Sequence, residues 1–204
     1  MSQTSINEAI ENNNIAYLID VLEAKDLDIT SVEAIYKSNI SNKDIVAQVA
    51  MNLSLRTSVY NRETQFSPVM VSLLKEIAIN PIDMGARWAV AKNPHTPIET
   101  LKLLSKDKIN LVRALVATNP STPTTILEKF FSDEKIVRDG LSGNISTPLK
   151  ILKILAHDND KMVRMRLAEN PSSNIEILNI LKNDSEPNVV LAAKAHIKAD
   201  QNES

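Results

Sequence analysis

A chain of 204 residues with 43 % hydrophobic and 24 % charged residues has the make-up of an ordinary folded protein, long enough for one substantial core or a modest array. Only three glycines and 3 % aromatic residues argue against β-sandwiches and barrels, which need frequent tight turns and aromatic or β-branched strands, so an all-α fold is expected. Cysteine is absent, which excludes disulfides, thiolate nucleophiles, Cys-ligated zinc and iron–sulfur clusters; the net charge of −2 is split unevenly, with 6 Lys+Arg against 11 Asp+Glu in residues 1–83 and 17 against 12 in residues 84–199.

Residues 1–66 read as an N-terminal helical cap with degenerate repeats. The opening MSQTSINEAIENNN has neither a basic nor an apolar signal region. Nowhere does the chain hold an uncharged apolar run of about 18 residues, so a cytoplasmic protein without membrane spans is expected. Ser5, with Glu8 three residues on, suggests a capping box for a first helix; Ile15, Leu18, Ile19 and Leu22 mark the buried stripe of a second; Ser31 is placed to cap a third. SNISNKDIVAQVAMN echoes the later GNISTPLKILKIL and sets Asn39 where Asn144 stands. LRTSVY around Arg56 echoes the start of the later units, and NRETQFS before Pro68 reads as a loop insertion.

Residues 67–199 form the regular array. One pattern returns as RWAVAKNPHTP from Arg87, RALVATNPSTP from Arg113, RDGLSGNISTP from Arg138 and RMRLAENPSSN from Arg164, with steps of 26, 25 and 26 residues. Asn93, Asn119, Asn144 and Asn170 keep the same steps. A period in the twenties is the mark of a solenoid, in which stacked neighbours supply the core that no unit can bury alone. Thr96, Thr122 and Thr147 directly precede Pro97, Pro123 and Pro148, so each is expected to be the N-cap of a short helix with proline at its first position. Glu99 and Glu176 suggest capping boxes with Thr96 and Ser173. The short helices bury Leu101 and Leu104, Leu127 and Phe130, Leu152 and Leu155, and Leu178 and Leu181, and end near Asp107, Asp133, Asp158 and Asp184. A second helix then opens near Leu111, Val137, Val163 and Val189 and runs to the Asn, where a left-handed backbone and the following proline are expected to stop it. Five to six such units are anticipated, with DQNES at 200–204 as a disordered tail.

The run VRALVATNPSTPTTILEKFFSD from Val112 resembles the leucine-rich repeat variant family, whose units are similar to HEAT-type repeats; the resemblance is good over about residues 68–199 and poor over 39–67. It implies a right-handed α-solenoid of paired helices, one of each pair often short or 3₁₀. Some members of that family carry an N-terminal iron–sulfur segment, and without cysteine that feature does not transfer.

The most regular polar residues are the columns Arg87, Arg113, Arg138, Arg164 and Asp107, Asp133, Asp158, Asp184. Asp precedes Arg by six, five and six residues, which favours a ladder of caps and ion pairs within or between units; the functional reading is a row of arginines for phosphates. Trp88 reads first as a packed core residue and second as an aromatic contact of the kind used by DNA-alkylation repair proteins of HEAT-like fold. His95, His157 and His196 share neither a helical face nor a metal-ligand spacing and read as surface residues. No nucleophile, phosphate-loop or metalloprotease motif is present, so no catalytic residue, cofactor or metal is assigned. The expectation is a non-catalytic scaffold that binds another protein, with a nucleic-acid binder as the alternative. Its candidate binding surface comprises Arg87, Trp88, Arg113, Arg138, Arg164 and Arg166; the oligomeric state stays open.

Overall fold

A computed structural model describes residues 3–56, 67–80 and 83–202. Every regular element among them is helical, and they fall into two compact units, residues 1–104 and 105–204. The insertion expected before Pro68 lies outside the described residues.

The first unit holds α1 (Gln3–Glu11), α2 (Ile15–Leu22), α3 (Ile29–Ser38), α4 (Lys43–Arg56), α5 (Pro68–Ile79), α6 (Met84–Lys92) and α7 (Ile98–Leu104). Odd-numbered helices pack on odd and even on even, so α1, α3, α5 and α7 make one layer and α2, α4 and α6 the other. The segment read as a cap is thus already built as stacked helix pairs. Its starts differ from the sequence reading. Ser5 lies inside α1, and α3 is capped by Asp28, whose carboxylate accepts from the backbone N–H groups of Thr30 and Ser31, leaving Ser31 buried in the first turn. A carboxylate at that place also meets the positive end of the helix dipole.

The second unit continues with α8 (Asn110–Thr118), the short α9 (Thr124–Leu127) with a 3₁₀ turn at Phe130–Ser132, α10 (Lys135–Gly143), α11 (Leu149–Leu155), α12 (Lys161–Ala168), α13 (Ile175–Leu181) and α14 (Pro187–Asn202). Helices α8, α10, α12 and α14 stack in that order, and the shorter ones fill the other layer. This is an all-α helical-repeat fold. Between the layers Val112, Leu127, Val137, Leu152, Val163, Leu167, Leu178 and Leu181 are fully buried, each stabilising the fold by roughly 1.5–3 kcal/mol relative to exposure. The β-branched pair Thr124–Thr125 suits a helix poorly, and α9 gives way to the 3₁₀ turn that carries Phe130 into the core. At Gly140 α10 lies close against α8: a Cβ there would stand 2.6 Å from the Ala114 carbonyl oxygen and 2.7 Å from Thr118 Oγ1. The expected tail does not begin at residue 200, because α14 runs unbroken to Asn202.

Candidate functional site

The repeated polar side chains form rows that join one helix repeat to the next within a compact unit. In the first row the guanidinium grips the aspartate of the following unit in a two-pronged bond. Arg113 Nε and Nη2 donate to Asp133 Oδ2 and Oδ1 at 2.9 and 2.8 Å, Arg138 to Asp158 at 2.6 and 3.0 Å, and Arg164 to Asp184 at 2.6 and 2.9 Å. Nη1 of each turns back to its own unit, donating to the carbonyls of Asp107, Asp133 and Asp158 at 2.8, 2.8 and 2.6 Å. Each arginine therefore ties two turns together, using the fork geometry that lysine lacks. The same aspartates cap the turn that follows them, accepting from the backbone N–H groups of Glu134, Asp160 and Glu186.

These bonds set the charges. The Arg113 hydrogen bonds hold the Asp133 carboxyl below its ordinary value, and Arg164 does the same for Asp184. At Asp158 burial pushes upward, but the Arg138 hydrogen bonds and the Asp160 N–H together outweigh it and the shift is downward. The hydrogen bonds to the carboxylates raise Arg113, Arg138 and Arg164 in turn.

A second row is buried. Asn144 Nδ2 donates to the carbonyls of Ala117 and Asn119 at 2.7 and 2.9 Å, and Asn170 Nδ2 to Ser142 and Asn144 at 2.7 and 3.3 Å. In the first unit Asn93 reaches Leu53 O, and Asn52, fully buried within α4, donates to Leu22 O and Ala24 O. Each amide reaches a carbonyl in the last turn of a helix, where intrahelical donors run out, and three of the four also reach one just beyond it. The oxygens Oδ1 of Asn93, Asn119, Asn144 and Asn170 accept from the N–H two residues on. The backbone is not left-handed here, contrary to the sequence reading: Asn93, Asn119 and Asn144 have φ of −71°, −69° and −81° with ψ near 120°. Proline after Asn93 and Asn119 favours that extended conformation, and the Asx turn supports it at Asn144, which no proline follows.

The threonines also act in the opposite direction to the one expected. Hydroxyls of Thr96, Thr122, Thr147 and Ser173 donate back to Val90, Val116, Leu141 and Leu167 carbonyls at 2.6–2.7 Å, closing the end of the preceding helix. Pro123 and Pro148 are themselves the N-caps. Glu99 and Glu176 complete no capping box; they pair with Lys102 and Lys153, and α13 is capped by Asn174.

A third, outer row consists of Asn110 with Glu134, Lys135 with Asp160 and Lys161 with Glu186, at 2.7, 3.5 and 3.4 Å. Arg166 pairs with Asp139 at 3.1 Å, and Lys150 with Glu128 at 2.7 Å. Much of the positive charge in the second unit is thus matched by carboxylates of neighbouring repeats. Directly beside the outer row stand Leu111, Ile136 and Met162, the same position of α8, α10 and α12, with exposures of 36, 40 and 47 %.

Of the other candidates, Arg87 Nη1 lies 3.5 Å from the Asp83 carbonyl, on the turn before its own helix. Trp88 is partly buried, with Lys92 Nζ 5.7 Å from its ring centroid and its indole N–H buried without an acceptor among the described residues. His95 is partly buried and His157 exposed, whereas the partly buried His196 has its Nδ1 2.8 Å from the Ala168 carbonyl oxygen, to which it can only donate. Asn52 and His196 escaped sequence reading because both lie in mid-helix, where nothing marks a unit boundary. No group of three or more His, Cys, Asp or Glu among the described residues is placed to hold a metal ion, and no described helix is long and apolar enough to cross a membrane.

Rows of this kind define a helical-repeat protein in which polar ladders join successive repeats. The chain is similar to a solved structure described as a leucine-rich repeat variant with a novel repetitive protein structural motif, at 19 % identity over 78 % of this chain and 88 % of that one, with a TM-score of 0.31. Neither a protein-family model nor a curated protein matches.

Proposed function

We propose that this protein is a non-catalytic scaffold that binds another protein through the exposed face of its second-unit helices. The observation that carries the proposal is the apolar row Leu111, Ile136 and Met162, exposed in register on α8, α10 and α12 and edged by neutralised charge pairs. Nucleic acid asks for unpaired cations and stacking aromatics. Here Arg113, Arg138, Arg164 and Arg166 are engaged by carboxylates, and one face region of Trp88 is taken by Lys92. Side chains that are apolar, exposed and in line suit a protein partner, since large apolar contacts give such interfaces their central energy.

The test is affinity capture from native lysate with the wild-type protein and with an Ile136→Glu/Met162→Glu variant that keeps the wild-type helical spectrum, each at low and high salt with and without nuclease. A protein retained through salt and nuclease by the wild type and lost by the variant supports the scaffold. Nucleic acid held only at low salt, by both forms alike, overturns it.

A further inference from the structure

The row of buried asparagines does not stop at Asn170. The next position in the register, 26 residues on, is His196. Its Nδ1 lies 2.8 Å from the Ala168 carbonyl. Ala168 is to His196 what Ser142 is to Asn170 and Ala117 is to Asn144: the helix-end carbonyl of the preceding unit, met at 2.7 Å in both earlier cases. An imidazole therefore stands in for the amide. A carbonyl can only accept, so the ring has to carry a proton on Nδ1, while Nε2 faces Asp200 at 3.7 Å.

The helix that bears this histidine is otherwise weakly held. Val190 occupies the place of the ladder arginine, so α14 extends no guanidinium to a further unit. Of its sixteen residues only Val189 and Ala193 are buried, against Val163, Leu167 and Ala168 in the eight residues of α12. Leu191 is 64 % exposed. No proline follows His196, and the helix runs six residues past it to Asn202. Few buried apolar contacts and an exposed outer face are the marks of an element that opens locally.

We propose that His196 is a rung of the asparagine ladder, a positioning residue that pins α14 to the end of α12 through an Nδ1–H donor and makes α14 a clasp able to open by itself. Release of the clasp bares the flanks of α12 and α13, against which α14 packs.

The proposal is tested on the full chain by amide hydrogen exchange and by long-range nitrogen–proton spectra of the imidazole, in wild type, His196→Asn and His196→Leu. In the neutral ring the Nδ1–H tautomer is expected, opposite to the form that free imidazole side chains favour in water. His196→Leu should speed exchange in α14 about tenfold with α8 and α10 unchanged, as loss of one satisfied buried hydrogen bond requires. His196→Asn, which restores the ladder's usual residue, should return protection to near the wild-type level. A neutral Nε2–H ring, equal exchange in the Leu variant, or an Asn variant as loose as Leu would overturn the rung. Faster exchange by one common factor in α8, α10 and α14 would overturn the independent clasp.

Discussion

If the Arg–Asp row couples one unit to the next, neutralising its middle carboxylate should cost far more than removing a surface ion pair. Asp158→Asn is the sharpest perturbation. The amide oxygen still accepts the Asp160 N–H, so the turn keeps its cap, while Arg138 loses its charged partner and one of two acceptors. Side-chain exposures of 21 % for Arg138 and 7 % for Asp158 place the pair between two known limits. Stripping one member from a fully buried pair costs about 3–5 kcal/mol, and exposed pairs contribute about 0–1 kcal/mol. The expected loss is about 2 kcal/mol. A double-mutant cycle with Arg138→Met should return a coupling of about 1–2 kcal/mol, read from urea unfolding by linear extrapolation. Lys150 and Glu128, exposed at 66 and 37 %, supply the control, where the same cycle should give about 0.5 kcal/mol or less. Amide exchange locates the effect: α11 to α14 should open more readily, by about tenfold or more, than α8. A coupling at Arg138–Asp158 no larger than at Lys150–Glu128 would refute the view that the ladder joins the units.

The depressed carboxyls of Asp133, Asp158 and Asp184 make a pH prediction with a definite sign. A folded value below the unfolded one means stability that is full above the ordinary aspartate value of 3.8 and lost as pH falls through the folded values, so the urea midpoint should drop steeply under acid conditions, and less steeply in Asp158→Asn. An equally steep drop in the variant would count against the row as its source. Asn144→Ala should destabilise by about 2 kcal/mol, because the Ala117 carbonyl and the Ser146 N–H lose their partner while the Asn119 carbonyl keeps only the Thr122 N–H; Asn144→Asp should lose at least as much at neutral pH, with a carboxylate set against carbonyls. Thermal melts of the two variants decide this. Gly140→Ala should be destabilising by about 1–2 kcal/mol despite alanine's better helix propensity, since its methyl would meet backbone on α8; unchanged stability would mean that α8 and α10 can separate without loss.

The array's register and the columns of Arg, Asp and Asn were legible in the sequence because stacking repeats the same demand in every unit. The bond partners were not. Spacing alone leaves open whether Asp158 serves the arginine of its own unit or of the one before, and the structure assigns its side chain to Arg138 while its main-chain carbonyl serves Arg164. Thr147 before Pro148 carries the usual signature of an N-cap, yet its hydroxyl closes the helix behind it, joining the Asn144 N–H on the Leu141 carbonyl, and spacing alone does not choose between the two directions. Asn52 and His196 do the work of ladder asparagines from within α4 and α14, where no proline or turn announces them.

The polar rows explain how a unit one residue short is accommodated. From Asp107 to Arg113 and from Asp158 to Arg164 is six residues, but from Asp133 to Arg138 only five. In the longer turns the aspartate Oδ1 accepts from the N–H two residues on, at Ile109, Asp160 and, after Asp184, Glu186; in the short turn Asp133 Oδ1 accepts from its immediate neighbour Glu134 at 2.6 Å. Arg138 Nη1 still reaches the Asp133 carbonyl at 2.8 Å, the distance Arg113 keeps to Asp107. The missing residue is therefore absorbed in a single cap, upstream of the guanidinium, and the register of α10 with α8 and α12 is undisturbed. An apolar stack alone would tolerate a slip between units; a slip here leaves charged and amide groups buried without partners, at about 1–3 kcal/mol each. Inserting one serine between Asp133 and Glu134 should accordingly be tolerated, lowering stability by less than about 1 kcal/mol, whereas inserting it between Arg138 and Asp139 should shift Asn144 off its carbonyls and unfold the unit. Equal losses from the two insertions would show that the rows do not set the register.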